Sequence, residues 1–458
     1  MAIIVDHPTT PDAADLPGSS GQDSQKSTRF SLFSALHHRN FRLFWFGQII
    51  SVTGTWMQSI GQAWLVLQLT HNAFLLGVVS ALQFLPVLLL SPFGGVIADK
   101  FPKRRLLICT QAAAMAQAAV MFVLAGTGTI RVWEIFILAA CLGTVNALDI
   151  PTRQAFISEM VGRGDLMNAI SLNSAQFNAS RVVGPGIAGL LIALLGIPPL
   201  FLLNAISYIA VITGLALMNP ALLQARVNRG TPPQRALAQV REGMIFSWRS
   251  PSIRLALVML FAISTFGMNF NIILPLLAEN TYHIGAPGFG LLSSVLGAGS
   301  LISALVLAAT VKRPRMGLLV VSAFGFGILE FLLAGARTPQ LAVVALVFLG
   351  FASIAFSATA NTMLQTNSPD HMRGRVMSLF AMVFAGATPI GALLTGTVAH
   401  LFNAQVALAV GATPCLAVAI YAWFMIRSTA RGPRAPTVTV TPELELAASM
   451  PPAGQIKA

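Results

Sequence analysis

Gly95-Val-Ile-Ala-Asp99-Lys100-Phe101-Pro102-Lys103-Arg104-Arg105 is a short charged segment between two long apolar runs, near 73–97 and 106–126. Each run holds roughly the 20 mostly apolar residues that a helix needs to cross a bilayer. The chain leaves the membrane here, turns within a few residues and re-enters. The same ruler gives ten more runs, near 43–69, 133–151, 169–195, 199–219, 254–279, 287–310, 317–335, 340–364, 378–399 and 405–427. The predicted fold class is all-α integral membrane, with twelve transmembrane helices in two six-helix bundles. The short alternating strands of a membrane barrel are absent from the sequence.

Composition agrees. Of 458 residues, 55% are hydrophobic and 9% charged, where soluble chains carry about 25% charged residues. Mean hydropathy is +0.75. A net charge of +13 would suggest nucleic acid in a soluble protein, but position decides otherwise. Apart from Arg131, Arg337 and the intramembrane Arg181, every Lys and Arg falls before the first run, in an even-numbered connection or after the last run. The positive-inside rule then puts both termini in the cytoplasm of a multi-pass inner (plasma) membrane protein. No nucleic-acid partner is implied. Cys109, Cys141 and Cys415 lie in apolar runs and read as small core residues.

The longest internal connection divides the chain into a cytoplasmic tail at 1–40, a bundle at 41–219, a linker at 220–253, a bundle at 254–427 and a tail at 428–458. Both tails read as disordered. In the linker, Leu237, Val240, Met244 and Trp248 share one helical face, as in a helix lying along the membrane surface. The bundles echo each other. Ser158–Asp165 matches Ser368–Arg375 through a shared Arg-Gly, and Lys103 and Arg105 match Arg313 and Arg315 at the same offset. Gly184-Pro185 corresponds to Thr388-Pro389 at a slightly shorter one. A duplicated unit around a midplane site is an alternating-access architecture.

These motifs resemble the major facilitator superfamily. Gly95, Asp99, Lys100, Lys103, Arg104 and Arg105 resemble its loop 2–3 signature, which implies a latch between the halves. Pro102 stands where the general pattern has Gly. Gly184, Pro185 and Gly189 resemble the span 5 motif of its exporters, which implies a seal on the cytoplasmic side. The generic reading of that motif is close helix packing through small residues. Trp56-Met57-Gln58, Gln62-Ala63-Trp64, Gln83-Phe84-Leu85-Pro86, Pro151-Thr152-Arg153-Gln154 and Arg373-Gly374-Arg375 resemble the enterobactin-exporter-like and macrolide-efflux-like branch. The resemblance covers about 41–427 and implies proton-coupled efflux of a small amphipathic molecule, siderophore- or drug-like, by a monomer needing no cofactor or metal. The Arg that drug–proton antiporters often carry inside span 4 is missing, since no Arg lies between Arg131 and Arg153.

A charge in hydrocarbon costs at least ~2.5–3.5 kcal/mol, so each needs a reason. Asp149, Arg181 and Glu330 are the coupling candidates. Asp149 is either a proton site or the ion-pair partner of Arg153 one turn away. Glu330 is a proton site or a protonated acid between helices. Arg181, ~18 Å into span 5, must face a cavity, bind carbonyls or pair with an acid. The resemblance places spans 1, 4, 7 and 10 around a central cavity, so Gln58, Gln62, Asn146, Asn269, Asn271 and Asn361 are cavity candidates, with Trp56, Phe266 and Phe270 as aromatic contacts. Interhelical hydrogen bonding is the alternative for each amide. No phosphate loop Gly-x-x-x-x-Gly-Lys-Ser/Thr occurs, so an ATP-driven pump would need a separate ATPase. A channel lacks a filter-like repeat, and an enzyme lacks a nucleophile–base cluster. Uptake or lipid transport stays open within the same fold.

Overall fold

The computed structural model describes residues 33–224, 236–310 and 315–431. Residues 1–32, most of the C-terminal tail, and Lys312 and Arg313 lie outside the described residues. Thirteen helices follow in order: α1 (Arg39–Thr70), α2 (Ala73–Lys100), α3 (Lys103–Gly126), α4 (Val132–Gly162), α5 (Gly164–Leu195), α6 (Pro198–Ala216), α7 (Ala236–Arg249), α8 (Pro251–Thr281), α9 (Gly285–Thr310), α10 (Met316–Gly335), α11 (Pro339–Thr366), α12 (Asp370–Leu401) and α13 (Ala404–Arg431).

Eleven of these are long and apolar enough to cross a membrane. The expected twelfth, α1, spans 32 residues but is not among them. Gln48, Gln58 and Gln62 dilute its apolar content, and all three are buried inside the bundle. The tail expected at 1–40 ends sooner. Ser34–His37 forms a 3₁₀ turn tied to α5 by Ala35 N–H to Asn168 Oδ1 (3.0 Å) and His38 Nε2 to Asp165 Oδ2 (2.7 Å).

The loop expected between spans 4 and 5 is helical. α4 and α5 form one stretch broken only at Gly162, whose φ of 70° is the left-handed region that glycine adopts freely. The side chain of Gln224 fills the space a Cβ would need there. The amphipathic linker helix is α7. Glu242 pairs with Arg375 Nη1 (2.7 Å), while Met244 and Trp248 stay exposed on the apolar face. Of the three cysteines only Cys415 is a core residue; Cys109 and Cys141 sit on outward faces.

Two seams join the halves, and small residues make both. Along α5 and α9, a Cβ on Gly290 would lie 2.5 Å from the Pro185 carbonyl, and one on Gly189 would lie 2.9 Å from the Gly290 Cα. Pro185 has no N–H for the Arg181 carbonyl one turn back, and Gly297 approaches that carbonyl instead. Ser294 Oγ donates to Val182 O at 2.7 Å. Along α2 and α12, Gly77 and Gly396 face each other's backbone in the same way. The glycine pairs lie at the end of the bundle opposite the 101–102 turn. The span 5 motif packs α5 onto α9 at that end. Trp64 stacks on Phe289 across the same region, with centroids 6.0 Å apart.

At these seams a side chain cannot fit without separating two backbones. Gly290→Leu is expected to loosen the sealed end. Ala286 is 5% exposed and its carbonyl abuts Gly189, so a cysteine at Ala286 reports on this. Maleimide labelling there should rise several-fold in the Gly290→Leu background and stay low with Gly290 intact.

Candidate substrate cavity and ion-pair site

Beneath the seams lies a cavity of about 460 Å³. It runs from Gln62, Leu76 and Val79 toward Arg153 and Gln154 at the unsealed end. Gln58, Gln62, Asn146 and Trp56 line it as expected from α1 and α4, and Asn271 lines it from α8. The other candidates do not. Asn269 donates to Thr265 O at 2.7 Å within α8, where π-helical turns at Ile263–Gly267 interrupt the helix. Asn361 accepts from Gln365 Nε2 at 2.5 Å along α11. Phe270 packs edge-on against Phe326.

Asp149 sits beside the cavity with 1% of its surface exposed. Its charge is fully matched. Oδ1 accepts from Thr110 Oγ1 (2.9 Å) and Gln111 Nε2 (2.8 Å). Oδ2 pairs with Arg153 Nη2, and Arg153 Nη1 donates to Gln48 Oε1 (3.1 Å). One carboxylate and one guanidinium thus tie α1, α3 and α4 together. The pairing with Arg153, one of the two readings of Asp149, is what the structure shows.

A second polar ladder crosses the same half. Gln58 Nε2 donates to Gln117 Oε1 (2.9 Å), and Asn204 Nδ2 donates to Gln58 Oε1 (2.7 Å). Ser207 Oγ donates to Asn204 (2.7 Å to its carbonyl). Gln58 therefore serves both readings, lining the cavity and bonding between helices. Gln48, Thr110, Gln111, Gln117 and Asn204 were not singled out from the sequence. Their one signal is a polar side chain within an apolar run, and only the packing shows that they meet.

Arg181 is part-buried, with its guanidinium carbon 5.9 Å from the centroid of the Trp56 ring, an arrangement that attracts a cation to the aromatic face. No salt bridge to it occurs among the described residues. Of its three sequence options, the acid partner is not realised. Glu330 is 2% exposed in the C-terminal half, beside Cys415 and against Gly411, and it does not line the cavity.

Two basic members of the loop 2–3 cluster bond within their own half. Lys103 pairs with Glu159 of α4. Arg104 caps α6 by donating to Leu215 O (2.6 Å) and Ala216 O (2.7 Å), where the helix presents its negative end. Both bonds stay within the N-terminal half. Lys100 and Arg105 are exposed. Gly95 and Asp99 belong to the last turns of α2, and their side chains lie outside the described residues.

Residues 30–450 match the family described as transmembrane secretion effector, within the major facilitator superfamily. The chain belongs to this family. It is a multi-pass membrane transporter acting on small molecules, not an enzyme. Similar proteins include a staphyloferrin A transporter of Staphylococcus aureus (29% identical over 79% of this chain and 90% of that one). The multidrug efflux pump Tap of Mycolicibacterium fortuitum is 25% identical over 83% and 94%. The enterobactin exporter EntS of Shigella boydii is 25% identical over 78% and 85%. Among solved structures, the nucleoside transporter NupG superposes with a TM-score of 0.65 at 14% identity, covering 87% of this chain and 99% of that one. The D-xylose-proton symporter does so at 0.64 and 16%, covering 86% and 97%. These two share the fold.

Removing one partner of a buried ion pair strands the other's charge, a loss of order 3 kcal/mol in fully buried pairs. Arg153 is about a quarter exposed, so water recovers part of that. Arg153→Gln alone is expected to lower thermal stability more than Asp149→Asn with Arg153→Gln together, as read by unfolding in detergent.

Proposed function

We propose that the protein is a secondary active exporter of a small amphipathic molecule, siderophore- or drug-like, that works by alternating access and is driven by protons. The observation that carries this is the cavity beneath two sealed seams, with its one ion pair at the rim. The exporters and efflux pumps among the similar proteins support the outward direction. Charge asymmetry supports cytoplasmic termini, with the sealed end outside. Membership in the superfamily supports a carrier that functions as a monomer.

Asp149 is the coupling group best placed for this role. While ionised it holds Arg153 and so joins α1, α3 and α4. A proton arriving from outside removes that charge and frees Arg153, which lets the empty carrier return. Arg181, with no acid partner among the described residues, contributes positive potential beside Trp56. Asp99 remains the latch candidate of the loop 2–3 signature, acting in the outward-open conformer. Glu330 serves as a buried neutral acid within the C-terminal half.

The test is accumulation of labelled siderophores and drugs in cells with and without the protein. Expression should lower accumulation of at least one compound, and a protonophore should abolish the difference. Efflux that survives the protonophore and stops on ATP depletion would replace this reading with a partner ATPase. Sidedness is checked by a cysteine at the exposed Thr129, which should react with an impermeant reagent from outside.

A further inference from the structure

The cavity is unequal in two respects. Every lining residue except Asn271 comes from the N-terminal half. The lining also carries one ionic side chain, Arg153, with no Lys, Asp or Glu among the other lining residues. The nearby carboxylate of Asp149 is closed to a ligand, since both of its oxygens are already engaged. A permanent cation entering this space meets positive potential and no free anion. An anion meets Arg153 in surroundings where charge is weakly screened.

Two unpartnered donors sharpen the point. Gln48 is 2% exposed, and its Nε2 has no hydrogen-bond partner; the Nε of Arg153 has none either. Both side chains line the cavity and are bonded to each other through Arg153 Nη1 and Gln48 Oε1. A buried donor left unmade costs free energy, so such a group calls for an acceptor. The cluster also holds one unpartnered acceptor, Gln111 Oε1, which suits a hydroxyl on the same ligand. Six glutamines and two asparagines of the N-terminal half, Asn146 and Asn173, supply further neutral donors and acceptors but no charge.

We propose that the N-terminal half alone holds the ligand, and that the ligand is an oxygen-rich carboxylate anion and not an organic cation. A carboxylate oxygen takes the free donors of Arg153 and Gln48, drawing Arg153 away from Asp149. Ligand and proton are then two ways of breaking one ion pair, the ligand on the outward leg and the proton on the return. The inside-negative potential favours the exit of an anion. The inference rests on the exporter reading for direction only; binding is tested without flux.

The test is calorimetric binding to the purified full chain with three probes: a dicitrate siderophore with free carboxylates, its neutral methyl ester, and tetraphenylphosphonium. A hydrogen bond to a charged group is worth about 1.5–3 kcal/mol in general, so the acid should bind about tenfold tighter than the ester, or more. The phosphonium should be the weakest. Arg153→Gln should erase the acid–ester difference and leave ester binding in place. The double variant with Asp149→Asn, which strands no charge, should do the same if the single variant fails to fold. Asn271→Ala should change little. Tightest binding by the phosphonium, equal binding of acid and ester, or no binding by any probe would overturn the proposal. None of these results would touch the exporter reading, which fails only if cells show no protonophore-sensitive efflux.

Discussion

The N-terminal half is organised by the need to neutralise one carboxylate inside hydrocarbon. Asp149 cannot reach water, so its charge is tolerable only with partners on every side. Three side chains from two helices supply them, and Arg153 passes the connection on to Gln48 of α1. The consequence is mechanical as well as electrostatic. Three helices share one bond network that is centred on a single carboxylate and a single guanidinium. Whatever titrates Asp149 or recruits Arg153 acts on all three helices at once.

The C-terminal half obeys the opposite rule. Its described interior is mostly apolar, and Glu330 sits in it with one oxygen unpartnered. Its most buried helix, α8, is bent by π turns and contributes only Asn271 to the cavity. The seams between the halves use backbone contact in place of side chains. Glycine on each strand of contact, with proline leaving a carbonyl bare opposite it, lets helices touch at van der Waals distance without strong directional bonds. Such contacts are close and also easily parted, as a seam that must open and close requires. A half with a polar interior thus meets a more apolar half through weakly bonded joints.

Much of this was legible in the sequence because bilayer thickness imposes a length on every span and the basic residues alternate by connection. Eleven of the twelve expected spans followed from those two constraints; the surface helix followed from the spacing of its apolar residues, and the family from the motifs around Asp99, Pro185 and Gln58. Helix α1 reads as a span by its length, although its buried glutamines dilute its apolar content. The continuous α4–α5 stretch was hidden because Arg153, Glu159 and Arg163 make its middle look like a loop. What could not be read was pairing between distant parts of the chain. Gln48 and Arg153 are 105 residues apart in the chain, and nothing local marks them as partners. Asn269 and Asn361 looked equivalent to Asn271, yet helix rotation sends only Asn271 into the cavity. Arg181 was expected to face a cavity, bind carbonyls or pair with an acid, and its guanidinium lies over the ring of Trp56.

The central claim is that the Asp149–Arg153 pair is opened by ligand in one direction and by a proton in the other. Purified protein in proteoliposomes separates the two legs. With Asp149→Asn, ligand-for-ligand counterflow needs only the loaded carrier to cross, so it should persist. Net efflux driven by an imposed pH gradient needs proton-dependent return, so it should fall to background. Gradient-driven efflux by Asp149→Asn at the wild-type rate would contradict the account.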